Sequence, residues 1–243
     1  MNKLITLVLL SLSLNLSAQV WFDLGAKGGL GSGFVMNNTL NQDVRFGLSP
    51  GFNYFFGGKV GVNFGEMVGL TFDVDYGLYK YGFTQAEVVG KPSTEVFSYK
   101  IGYNAINFSP YFRYTKETSY LEIGPNFSFT KNAFINDEAF QSAQPNAADV
   151  IRANLTGLTF GFGGHMVGNE IISLMMGLRF NYTFSSLSSD TYEETSYPFT
   201  NYSDITTPSS TNPLNLQLVM ELNYSLGYFV KASCGRRTAF LTF

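Results

Sequence analysis

Between positions 46 and 64, apolar residues alternate with small or polar ones almost without a slip. Phe46, Leu48, Pro50, Phe52, Tyr54, Phe56, Gly58, Val60, Val62 and Phe64 share one parity. Arg45, Gly47, Ser49, Gly51, Asn53, Phe55, Gly57, Lys59, Gly61 and Asn63 share the other. A period of two places these sets on opposite faces of one β-strand. Strands of soluble sheets usually run about 5–6 residues, so this run is out of scale for them. One face is rich in aromatic rings, and the other carries Arg45 and Lys59. Lipid outside and a polar interior give the strands of a membrane β-barrel this pattern.

Seven further segments repeat it. The first strand covers 20–34, with Phe22, Leu24, Ala26 and Leu30 outward and Asp23 and Lys27 inward. A tight turn at 65–67 leads into a third, where Val68, Leu70, Phe72, Val74, Tyr76 and Leu78 alternate with Thr71, Asp73, Asp75 and Tyr79. In the fourth, 97–114, the apolar parity changes near Ala105, which predicts a β-bulge that flips the facing. Beyond it Ile106, Phe108, Pro110 and Phe112 face out, and Ser109, Tyr111 and Arg113 face in. The fifth places Leu121, Ile123, Pro125, Phe127 and Phe129 outward and Glu122, Asn126 and Ser128 inward. The sixth covers 155–166, the seventh 171–184 with Arg179 inward, and the eighth 214–228 with Gln217 and Glu221 inward.

The connections alternate in length. Short ones fall near Gly65, Glu117 and Gly168, and long ones span 35–44, 84–96, 131–153 and 185–213. Short periplasmic turns and long external loops are the asymmetry of outer-membrane barrels. The expected fold is an all-β, eight-stranded antiparallel up-and-down transmembrane β-barrel over 19–229. A ten-stranded barrel, with a last hairpin turning near Leu226-Gly227, is the alternative.

Residues 1–18 read as a secretory signal peptide: Lys3, an apolar run from Leu4 to Leu16, and small residues before Gln19. After them nothing approaches the ~20 apolar residues of a membrane helix. Export and a barrel pattern together predict the outer membrane of a Gram-negative bacterium. Residues 230–243 read as a short basic periplasmic tail, whose Lys231, Arg236, Arg237 and Phe243 are candidates for binding a partner. The net charge of −3 gives no bulk basic character, so no nucleic-acid partner is expected.

An eight-stranded barrel is just wide enough for its own side chains to fill. Parity sends Asp23, Lys27, Arg45, Lys59, Asp73, Asp75, Arg113, Glu122, Arg179 and Glu221 inward, predicting a structural polar plug of paired charges. The lone Cys234 has no disulfide partner, and the lone His165 falls beside a short turn, away from the long loops. Gly28, Gly29, Gly31 and Gly33 open no helix, so they form no phosphate loop, and they relieve crowding in a strand. No cofactor, metal or enzymatic activity is expected.

The segment Tyr120-Leu121-Glu122-Ile123-Gly124-Pro125 resembles the YLEAGP signature of Bacteroidetes outer-membrane β-barrel proteins of the PorT-like family. Leu178-Arg179-Phe180-Asn181-Tyr182 resembles that family's penultimate strand. The resemblance implies an eight-stranded barrel, and some members of the family take part in type IX protein secretion. The expected role is a structural or accessory component of an envelope protein complex, in secretion or outer-membrane assembly. Its expected partners are outer-membrane lipid, lipopolysaccharide and other envelope proteins. The alternative is a surface-interaction or adhesion barrel whose long loops bind ligands, with Tyr192, Tyr197, Phe199 and Tyr202 as candidate contacts.

Overall fold

A computed structural model describes residues 20–42, 44–86, 95–137, 142–144, 150–169, 171–189 and 210–228. The expected signal peptide and basic tail, Cys234 and the loop aromatics Tyr192, Tyr197, Phe199 and Tyr202 lie outside them. Along the chain run β1 (Val20–Met36), α1 (Asn38–Gln42), β2 (Phe46–Ser49), β3 (Gly51–Phe64), β4 (Val68–Ala86) and β5 (Val96–Lys116). They are followed by β6 (Ser119–Asp137), β7 (Ser142–Gln144), β8 (Asn154–Gly168), β9 (Ile172–Thr183) and β10 (Asn212–Tyr228). Each strand of the order β1, β3, β4, β5, β6, β8, β9, β10 pairs antiparallel with the next, and β10 pairs back to β1. The sheet closes as a ring of eight, which leaves no edge along the wall.

Burial is inverted relative to a soluble protein. Lys27, Asp73 and Glu221 are 5, 1 and 1% exposed, whereas Leu30, Phe52 and Phe56 are 57, 57 and 60% exposed. A closed ring with charge inside and rings outside is stable only where the surroundings are apolar.

Two departures from the simple parity pattern shape the upper part of the barrel. Pro50 has no N–H to give to a ladder, and the long second strand breaks there into β2 and β3. Between the pairs Tyr54↔Leu78 and Ser49↔Gly82 that wall carries one residue more than β4, so facing reverses across the break. Phe46 therefore pairs with Gln85 and packs on the inner core instead of facing out. The Asn53 side chain accepts a hydrogen bond from the Lys80 amide at 2.7 Å, where the ladder is interrupted.

The second departure corrects the expected parity change in β5. A register shift does fall at Asn104/Ala105, but the extra residue belongs to β6, at Lys131. The facing of β5 never changes: Tyr99, Ile101, Tyr103 and Ala105 point inward and are buried, like Asn107 and Ser109 after them. What changes at Ala105 is the chemistry of the interior.

Candidate functional site

The barrel interior has two storeys. The lower one lies toward the short turns, near Val20 at the start of β1 and Tyr228 at the end of β10. There an unbroken loop of alternating charges runs round the lumen. Lys27 contacts Asp73, Arg179 reaches Asp73 at 3.1 Å, and Arg179 reaches Glu122 at 2.8 Å. Arg113 then joins Glu122 at 2.6 Å to Glu221 at 2.7 Å, and Lys27 closes the loop on Glu221 at 3.0 Å. Six strands, β1, β4, β9, β6, β5 and β10, each contribute one member. Lys59 on β3 branches from Glu221 at 2.6 Å and holds Asp23 at 3.1 Å. Each cation has at least two carboxylates, the arrangement in which a desolvated charge is tolerated.

Aromatic rings frame the loop. The Arg113 guanidinium lies 4.5 Å from the centre of the Tyr120 ring, and Arg179 lies 4.7 Å from that of Tyr111. Glycines on the wall make the room. A Cβ on Gly29 would meet the Phe55 ring at 2.3 Å, and one on Gly31 would meet the Leu216 carbonyl at 2.1 Å.

The parity-predicted inward residues divide into three groups. Asp23, Lys27, Lys59, Asp73, Arg113, Glu122, Arg179 and Glu221 meet in this network. Asp75 lies just above it and accepts a hydrogen bond from Asn107 at 2.6 Å. Arg45 is a correction. It falls in the turn before β2, at the level of Ala86, whose amide donates to its carbonyl at 2.8 Å. It is outside the charge loop because the strand parity that pointed it inward does not extend past Pro50.

Apart from Tyr79, the upper storey was not legible as interior from sequence. Tyr79, Tyr81, Phe83, Tyr99, Ile101 and Tyr103 form a buried cluster with Val35, Ile151, Leu155 and Leu187. Phe83 and Tyr99 stack at 5.1 Å and 3°, and Tyr79 stacks on Tyr103 at 5.5 Å. The Tyr81 hydroxyl donates to Asn215 at 3.0 Å, and Asn53 donates to the same oxygen at 2.6 Å, tying β3, β4 and β10 together. The usable signal was the continued odd parity of Tyr79, Tyr81, Phe83 and Gln85. Between the storeys is a cavity of about 10 Å³, lined by Asp75, Asn107, Arg179 and Gln217 among others, with room for about one water.

β4, β5 and β6 rise past their neighbours. With β2 and β7 on their flanks they form a raised sheet on the long-loop side, its inner face covered by the upper cluster.

His165 is exposed near the end of β8, at a register shift, with its amide donating to Thr118 at 2.7 Å. Among the described residues no group of His, Cys, Asp and Glu has the makings of a metal site. No helix among them is long and apolar enough to cross a membrane.

The chain is an outer-membrane β-barrel. Charge sealed inside and an apolar outer band are what place it in lipid. No protein-family profile matches the sequence, and no curated protein matches it. Solved structures of similar fold include neisserial surface protein A, at 14% identity and TM-score 0.41, covering 83% of this chain and 96% of that one. Others are OprG from Pseudomonas aeruginosa, at 8% and 0.40, covering 87% and 99%, and Ail of Yersinia pestis, at 12% and 0.36, covering 83% and 98%.

Proposed function

We propose that this barrel does not conduct and is not an enzyme, and that it works through its surfaces as a structural or accessory component of an envelope protein complex. The observation that carries this reading is the doubly filled lumen. The charge loop and the aromatic cluster occupy the space that a solute or substrate would need. The resemblance to PorT-like barrels of the Bacteroidetes supports a place in secretion or outer-membrane assembly. Its two quoted segments supply Glu122 and Arg179, which are direct partners in the charge loop. The basic tail, with Lys231, Arg236, Arg237 and Phe243, is the proposed contact on the periplasmic side.

A second reading, adhesion or ligand binding at the cell surface, is favoured by the raised sheet of β4, β5 and β6. Its packed inner face gives the external loops a rigid base. A tag inserted in the 185–213 loop and a mild-detergent pull-down from native membranes separate the two. The first reading expects a stoichiometric set of envelope proteins that is lost when 230–243 are deleted. A lone monomer, with secretion unaffected by deleting the gene, counts against it and favours the second.

A further inference from the structure

Three adjacent strands end their apolar outward faces at one height. On β4, Leu70, Phe72, Val74, Tyr76 and Leu78 are followed by Lys80. On β6, Leu121, Ile123, Phe127 and Phe129 are followed by Lys131, the residue of the bulge. Between them on β5, Phe112, Phe108 and Ile106 give way to Asn104, Gly102 and Lys100. The register sets Leu78, Asn104 and Asn132 in one row, Lys80, Gly102 and Phe134 in the next, and Gly82, Lys100 and Asn136 above.

Depth follows from strand geometry. At about 3.3 Å per residue the stretch from Val68 to Leu78 is roughly 33 Å long. A tilt of about 40° reduces that to a height of about 25 Å, the apolar band of an outer-membrane barrel. Lys80 and Lys131 thus stand one step above hydrocarbon, at the depth of lipid headgroups, on the long-loop side.

The surface between the lysines is shaped. The Phe134 ring lies over Gly102, where a Cβ would meet a ring carbon at 2.2 Å, and the Lys80 ammonium is 6.0 Å from the ring centre. Diagonal neighbours on a sheet are about 7–8 Å apart, so Lys80 and Lys100 reach a common anion, and Lys131 stands at the bulge two strands from Lys80.

We infer that Lys80, beside the Phe134 ring, its diagonal neighbour Lys100 and Lys131 at the bulge bind the phosphorylated headgroup of an outer-leaflet glycolipid. Ammonium groups supply charge-assisted hydrogen bonds to phosphate. The ring offers a flat face to a sugar, and the apolar band below continues into the acyl chains. A lipid headgroup uses all three features, and a free anion uses only the first.

The test is a titration of the folded full chain in non-ionic detergent with diphosphorylated lipid A, read by native mass spectrometry. Each lysine at an anionic surface is worth about a fivefold change in binding. The triple variant Lys80→Gln, Lys100→Gln, Lys131→Gln is therefore expected to bind on the order of 100-fold more weakly. The triple Lys→Arg variant should retain binding, and lipid A stripped of its phosphates should bind the unaltered chain no better than the Gln variant binds lipid A. Heat-dependent gel migration checks that each variant is closed; if the Gln variant is not, the stripped lipid decides. Equal binding of stripped and phosphorylated lipid, or equal binding by a folded Gln variant, overturns the inference. Displacement of the lipid by inorganic phosphate at matching concentration also overturns it, because it would leave only an anion site.

Discussion

Arg113 on β5 reaches across the lumen to Glu221 on the opposite wall, β10, donating to both carboxylate oxygens at 2.7 and 2.9 Å. This fork ties together strands that are far apart around the ring, and Glu221 also takes Lys27 and Lys59.

Glu221→Gln leaves Lys27, Lys59 and Arg113 short of a shared carboxylate in a desolvated interior. Breaking a buried charge pair by removing one partner costs about 3–5 kcal/mol. Urea unfolding in lipid bilayers, followed by fluorescence of Trp21, the chain's single tryptophan, should show a clearly lower midpoint. An unchanged midpoint would mean that the loop adds nothing to stability.

The wall glycines should differ sharply in tolerance. A Cβ on Gly31 would lie 2.1 Å from the Leu216 carbonyl, a backbone atom, whereas one on Gly28 meets nothing nearer than 3.5 Å. Gly31→Ala is expected to cost about 1–3 kcal/mol as an overpacked site, and Gly28→Ala to be close to neutral. The fraction that folds into lipid vesicles, read by heat-dependent migration on gels, compares them.

The upper storey should melt on its own. Phe83→Ala removes a ring stacked on Tyr99, a loss of about 3–5 kcal/mol for a buried aromatic. Hydrogen exchange should quicken at 79–86, 96–105 and 130–137, where the raised sheet has only this cluster beneath it. The amides of 68–76 and 106–114 should keep their protection. Uniform loss of protection would contradict two separable storeys.

On the lipid face, cost should follow depth. Val74→Arg, near the middle of the apolar band, is expected to cost about 2–4 kcal/mol, and Leu78→Arg, at its edge, about 0–1 kcal/mol. Unfolding midpoints in bilayers measure both. Equal costs would argue that the wall is not set in the membrane at this height.

The eight-membered ring was legible because lipid enforces strict alternation over long strands, and a period of two survives any detail of packing. Eight of the parity-predicted charges meet in one network for the same reason. Legibility failed where the environment changed without the geometry changing. Tyr99, Ile101 and Tyr103 look lipid-facing by hydropathy, yet they keep the inward parity of Asn107 because the upper interior is itself apolar. At Pro50 the reverse happened. Hydropathy ran on smoothly while one extra residue reversed the facing of Phe46 and left Arg45 in a turn. The bulge was placed at the right height but on the wrong strand, since a register slip is shared by two partners and sequence shows only one. The charge pairings also lay beyond sequence, because which inward cation meets which carboxylate depends on how the ring closes.

Single-channel recording in planar bilayers tests the sealed lumen most directly. With the charge loop below and the stacked tyrosines above, the account predicts no stable conductance steps from the unaltered barrel in concentrated salt. Steady, reproducible openings would show a continuous water path through both storeys and contradict it.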